Sequence, residues 1–228
     1  MPRQGGLEWV DGNGWLVLSG GSDERRGETD VIAANALSLA NLDRPAVVIL
    51  SEGTAADVEE ILEHYVALGG PGGEGVLLSK QADALQDEAF LSLLGEAGLL
   101  HLGGERPLQL AATLHRTRAL RLIVQGFATL QGLVIVGESG GAAALGAWVR
   151  AAGETTEEAP GLNCVRNGIV SPHFTTTEEA RVLRRLLRDH PGFVGLGVPD
   201  STALALGPRG EVETWGEDQI IAVISQES

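Results

Sequence analysis

Leu133-Val134-Ile135-Val136-Gly137-Glu138-Ser139-Gly140-Gly141-Ala142-Ala143-Ala144 sets an apolar run, a G-x-S-x-G turn and a small-residue helix start in direct succession. That context places the serine on a sharp strand-to-helix turn at the carboxyl end of a strand. Gly137 and Gly141 let strand and helix approach without Cβ clashes. A helix start behind Ser139 supplies free N–H groups and a positive dipole end, which suit an oxyanion. The string reads as a nucleophile turn. Its competitor is a Gly-rich turn that cradles a phosphate or simply packs tightly.

Outward from this turn the chain alternates strands and helices. Ala46–Leu50 is a short, wholly apolar run, as in a parallel strand covered on both faces. Gly75–Leu78, Leu99–Leu102, Leu133–Val136 and the run around Ile169-Val170 read as further strands. Helices are expected from Thr29 to Ala40, Glu88 to Gly95, Leu108 to Thr117 and Ala142 to Ala152. Another follows the capping box Thr54-Ala55-Ala56-Asp57, carrying Val58, Ile61, Leu62, Tyr65 and Leu68 at helical spacing until Gly69. A second capping signal, Thr176-Thr177-Glu178-Glu179, opens a helix with Val182, Leu183, Leu186 and Leu187. Leu7–Val10 and Trp15–Leu18 read as a hairpin, and so do Ala203–Leu206 and Ile220–Ile224 around Gly207-Pro208-Arg209-Gly210. Gly69–Gly73 is too short to separate domains, so residues 1–228 read as one α/β domain, a mostly parallel sheet between helix layers.

Composition narrows the function. The chain has 228 residues, 43% of them hydrophobic, with 31 acidic against 16 basic side chains and a net charge of −15. Such a field repels phosphate backbones and anionic membranes, and the only basic cluster is a helix face at Arg181–Arg188. No apolar run reaches the ~20 residues of a membrane span. Met1–Gly6 lacks the apolar stretch of a secretion signal, so a cytoplasmic location is expected. Cys164 is the single cysteine and Lys80 the single lysine, leaving no internal disulfide or Cys-cluster metal site. The histidines at 64, 101, 115, 173 and 190 lack zinc-protease spacing, and no metal or organic cofactor is expected. A covalent step would fall to Ser or Thr.

A serine nucleophile needs a base. His173, in Ser171-Pro172-His173-Phe174, follows an apolar strand, where α/β sheets carry their sites; a buried structural histidine is the other reading. His190 reads as a C-terminal helix cap, His101 as a poorer base, and His64 and His115 as helix-surface residues. Asp200 follows another apolar stretch and suits an orienting acid, although Asp200-Ser201-Thr202 is also an ordinary turn sequence. The order Ser139, His173, Asp200 excludes the α/β-hydrolase arrangement of Ser, acid, His.

Together these segments resemble the cyanophycinase and dipeptidase E family of serine peptidases, in that family's order from Gly20-Gly21-Ser22 to the Asp200 segment. Gly137–Ala142 resembles its G-x-S-A-G-A turn, with Gly140 in place of the alanine. Leu102-Gly103-Gly104-Glu105-Arg106 stands where the family has a Gly-Gly-Asp/Asn-Gln/Thr loop lining the site. Ser171–Phe174 resembles the dipeptidase E form Asn-Pro-His-Phe, and Gly195–Leu204 the cyanophycinase Gly-Ile-Gly-Ile-Asp-Glu-x-Thr-Ala segment.

The resemblance implies a class I glutamine amidotransferase-like, flavodoxin-like three-layer fold, with Ser139 attacking an aspartyl peptide bond and His173 as base. Asp200 would occupy the place of the cyanophycinase triad glutamate. Gly103, Gly104, Glu105, Arg106 and Gly140 would form the substrate and oxyanion loop. Arg106 departs from the family's neutral residue, either clamping a substrate carboxylate or filling the site with charge. A small peptide is the implied substrate, and a homodimer is compatible with the family. The rival is a catalytically impaired member that binds a carboxylate or peptide; a glutaminase ranks last because Ser139 stands where such enzymes carry cysteine.

Overall fold

Five short apolar runs assemble as the parallel part of a seven-stranded sheet in the computed structural model, which describes residues 6–21, 29–150, 157–175, 177–216 and 218–224. They are β1 (Trp15–Ser19), β2 (Ala46–Leu50), β3 (Gly73–Leu77), β4 (Leu99–Gly103) and β5 (Val134–Glu138). After the short strands β6 (Trp148–Arg150) and β7 (Glu158–Pro160) come β8 (Gly168–Ser171), β9 (Val194–Gly197), β10 (Thr202–Leu206), β11 (Val212–Gly216) and β12 (Ile221–Ile224). The large sheet runs β11-β10-β1-β5-β4-β2-β3, with β10 and β11 antiparallel. A second sheet runs β12-β9-β8, and β6 pairs with β7.

The strands alternate side chains between two covered faces. On one face Leu16, Leu18, Ile49, Leu100, Leu102 and Ile135 pack on α4 (Glu88–Glu96), α5 (Pro107–Leu114) and α6 (Arg118–Thr129), below the short α7 (Gly140–Leu145). On the other, Val17, Leu99, Val134 and Val136 meet α1 (Thr29–Leu39), while Tyr65 and Val58 bring in α2 (Ala55–Ala67). Burial on both faces is what parallel strands require. The fold is the class I glutamine amidotransferase-like arrangement that the family resemblance implies. The Thr54–Asp57 capping box is present, with Thr54 Oγ1 accepting from Asp57 N and Asp57 Oδ2 from Thr54 N. A four-residue helix, α3 (Leu78–Gln81), follows β3, and α8 (Thr177–Asp189) buries Leu183, Leu186 and Leu187 against the small sheet; Thr176 lies outside the described residues. No helix among the described residues is long and apolar enough to cross a membrane.

Four local expectations are corrected. The N-terminal hairpin does not form: β1 pairs with β5 and β10 in the sheet interior, and Trp9 bridges to Val165 instead. Leu16, Val17 and Leu18 are fully buried there, which a two-stranded ribbon could not achieve. The helix expected from Ala142 to Ala152 stops at Leu145. Leu162 N and Cys164 N take the Ala144 and Leu145 carbonyls, Gly146 turns extended, and Trp148 starts β6; residues 151 and 152 lie outside the described residues. The helix opened at Leu108 ends at Leu114, and α6 follows unforeseen, capped by Thr117 Oγ1 accepting from Leu120 N. Finally, β10 forms its hairpin with β11, whereas Ile221–Ile224 pairs with β9.

Backbones touch where the strand ends carry loops. A Cβ on Gly141 would sit 1.8 Å from the Leu102 carbonyl oxygen, whereas one on Gly72 would meet nothing within 4 Å. Denaturant titration should show Gly141→Ala destabilised by about 1–3 kcal/mol and Gly72→Ala changed by less than about 0.5 kcal/mol.

Candidate active site

Ser139 directly follows β5 and precedes α7, with φ 52° and ψ −119°. Positive φ on a non-glycine residue is strained and must be imposed by its surroundings. Here Ser139 N donates to Ser19 O at 3.2 Å, and Ala143 N donates to Ser139 O at 3.2 Å. A Cβ on Gly140 would lie 2.2 Å from Gly104 O, so turn and loop meet backbone to backbone. The serine is 6% exposed, and its Oγ lies 2.7 Å from His173 Nε2.

His173 sits beyond β8, also at positive φ (52°), with its N–H donating to Gly20 O at 3.1 Å. Its ring covers Gly21, where a Cβ would come 2.4 Å from Cε1. Asp200, between β9 and β10, places Oδ1 2.6 Å from His173 Nδ1. The structure thus brings Ser139, His173 and Asp200 into one hydrogen-bonded chain at the carboxyl ends of the strands. His173 is half-buried and pushed up to about 9, first by the nearby Glu105 carboxylate and then by Asp200, against the opposing effect of burial.

The 103–106 loop divides. Gly103 ends β4, and Gly104, at φ +94°, rests against Ser51. Glu105, with its side chain 63% exposed, leans over Ser139 and accepts from its Oγ at 2.7 Å; His173, and after it this bond, hold its carboxyl below the usual range. Arg106 turns outward: its N–H donates to Ser51 Oγ, its guanidinium pairs with Glu52, and its side chain is 64% exposed. It does not fill the site with charge.

A cavity of about 890 Å³ opens beside Ser139, between the sheet and α1 and α2. Its wall includes Asp57, Glu60, His64, His101, Tyr65 and Glu138. His101, set aside as a poorer base, is buried; Nδ1 lies 3.1 Å from Tyr65 Oη and Nε2 3.5 Å from Glu138. Burial pushes the His101 imidazole down and the Tyr65 hydroxyl up. His64, expected on the helix surface, also faces this cavity. Sequence reading missed Glu138 and Tyr65; the usable signal was Glu138's place directly before the serine. His115 lies 3.1 Å from Pro160 O through Nε2, and His190 caps α8, pairs with Glu158 and stacks on Trp148. Among the described residues no group of three or more His, Cys, Asp and Glu side chains is arranged to hold a metal ion.

The model of peptidase family S51 matches residues 56–210. Cyanophycinases of Synechococcus elongatus and Thermosynechococcus vestitus are each 26% identical over 219 residues, covering 91% of this chain and 67% of theirs. A peptidase from an acI-B1 Actinobacterium superposes with a TM-score of 0.73 at 19% identity, over 95% of this chain and 97% of that one. A putative peptidase E protein from Listeria monocytogenes EGD-e gives 0.61 at 17% identity, over 93% and 100%. With its strand-end serine, its strand topology and a family match over most of its length, the chain belongs to peptidase family S51, as a serine-type peptidase of the cyanophycinase and dipeptidase E group.

Proposed function

We propose that the protein hydrolyses aspartyl or β-aspartyl bonds in small peptides, with Ser139 as nucleophile, His173 as base and Asp200 as the orienting acid. The observation that carries this reading is the chain of contacts from Ser139 Oγ to His173 Nε2 at 2.7 Å and from Nδ1 to Asp200 at 2.6 Å. Ser139 Oγ attacks the scissile carbonyl as its proton passes to His173 Nε2. The resulting oxyanion is held by backbone N–H groups of the 103–104 loop and Gly140, and His173 then protonates the departing amine. Water, deprotonated by the same imidazole, releases the acyl group and restores Ser139. Asp200 fixes the ring by accepting from Nδ1–H and stabilises the imidazolium that forms.

The aspartyl preference draws on the likeness to cyanophycinases and on the Ser171–Phe174 and Gly195–Leu204 segments. Asp57, Glu60 and Glu138 in the cavity wall would attract the ammonium group of a bound peptide.

A panel of α- and β-linked aspartyl dipeptides tests the reading. The intact chain should turn over at least one member, and Ser139→Ala should cut kcat by a factor on the order of 10⁴ to 10⁶. A folded chain inert on the whole panel would remove the aspartyl assignment. Asp200→Asn keeps the shape and loses the charge; its kcat should fall by a factor on the order of 10² to 10⁴. Unchanged turnover in that variant would assign the acid's role elsewhere.

A further inference from the structure

Ser139 has one hydroxyl proton and two short contacts to satisfy. Its Oγ lies 2.7 Å from Glu105 Oε1 and 2.7 Å from His173 Nε2. An ionised carboxylate only accepts, so the Glu105 contact uses the hydroxyl proton. The His173 contact must then run in reverse, with Nε2–H donating to the serine oxygen. Across the ring, Asp200 at 2.6 Å likewise requires N–H at Nδ1. Both nitrogens carry protons, and His173 rests as an imidazolium. Glu105 Oε1 is itself 3.9 Å from Nε2, within ion-pair range.

The surroundings reinforce this charge. The strand end before Ser139 contributes Glu138, and α2 contributes Asp57, Glu60 and His64 to the same cavity. Glu52, at the end of β2, is paired with Arg106, and His101 from β4 faces Glu138. Beyond β1 the contact is Gly21, and α1 presents Ile32 and Ala33, all uncharged. The described cavity lining holds no lysine or arginine to offset the carboxylates.

The geometry points to Glu105 as a positioning residue that keeps the free site closed to acylation: it draws the Ser139 proton away from His173 and keeps His173 charged, until a cationic group on the incoming peptide displaces or neutralises it. The inference rests on Ser139 and His173 being nucleophile and base. When Glu105 withdraws, the Nε2 proton passes to water and the Ser139 hydroxyl turns toward the freed nitrogen. Attack then forms the Oγ–carbon bond as the hydroxyl proton moves to Nε2. The elevation of His173 to about 9, with Glu105 its largest cause, agrees with the contacts.

Two readouts on the full chain test this. The first is the pH titration of the His173 ring by tautomer-sensitive ¹⁵N chemical shifts. The second is the rate at which diisopropyl fluorophosphate, a small neutral reagent, modifies Ser139 between pH 5 and 10. In the intact chain both midpoints should lie near 9. Glu105→Gln keeps the size and removes the charge; the midpoint should fall toward the ordinary histidine range, raising modification at pH 7 about ten- to fifty-fold. Glu105→Asp, which draws the carboxylate back by one methylene, should move the midpoint in the same direction and serves if the glutamine variant misfolds. Equal ring midpoints in intact and Glu105→Gln chains would overturn the proposal, as would an ordinary histidine midpoint in the intact chain. Failure of the reagent to modify Ser139 at any pH would instead remove the nucleophile assignment, a result the ring titration reads separately.

Discussion

The site depends first on backbones that come closer than any side chain allows. Gly141 packs against the Leu102 carbonyl and Gly140 against Gly104 O, locking the serine turn to the loop after β4. Gly20 packs against Pro199 O in the same way, and Gly21 lies beneath the His173 ring. The missing Cβ atoms therefore join the four segments that carry Ser139, Glu105, His173 and Asp200. This over-determination sustains three strained residues, Ser139, His173 and Ser201, at positive φ. Sheet packing alone would not impose those conformations.

Electrostatics then decides what the assembled groups do. His173 lies between two carboxylates with opposite consequences. Asp200 contacts Nδ1, and in the proposed mechanism its charge orients the ring and favours the ion formed during attack. Glu105 contacts the serine hydroxyl itself and, in the proposed mechanism, competes for the proton the base must receive. In the same cavity, burial pushes the His101 imidazole down against the opposing charge of Glu138, while Tyr65 and Glu138 occupy the surroundings of its two nitrogens. Part of the chain's acidic excess, Asp57, Glu60 and Glu138, thus borders this one cavity, where their fields add.

What was legible in the sequence was local. The strand, turn and helix around Ser139, the Thr54 capping box and the apolar runs of β2 and β4 depend on neighbours within a few residues. The order of Ser139, His173 and Asp200 was readable for the same reason, since each follows an apolar strand. The misreadings were non-local. β1 looks like half of a hairpin because its turn glycines are adjacent, yet its partners are about 120 and 190 residues away. α7 looks long because Ala142–Ala147 suits a helix, yet residues 162–164 take its carbonyls. Glu105 and Arg106 are neighbours that face opposite ways, one toward Ser139 and the other toward Glu52, and no spacing rule distinguishes them.

The aspartate at 200 shows how backbone placement offsets a change of side chain. It is one methylene shorter than the glutamate implied by the cyanophycinase resemblance, which would leave the imidazole unpartnered on an unchanged frame. The contact is nevertheless 2.6 Å. Ser201 donates its N–H to Gly21 O at 2.9 Å and adopts φ 53°, while Gly20 admits the Pro199 carbonyl. These contacts draw the 199–201 segment onto the end of β1, the same segment on which the His173 ring rests. Asp200 and His173 are positioned by one shared piece of main chain, so the carboxylate needs less reach. A longer acid at 200 would have to fold back or push the ring toward Ser139, and the short oxygen-to-nitrogen contact on the nucleophile side leaves little room for that.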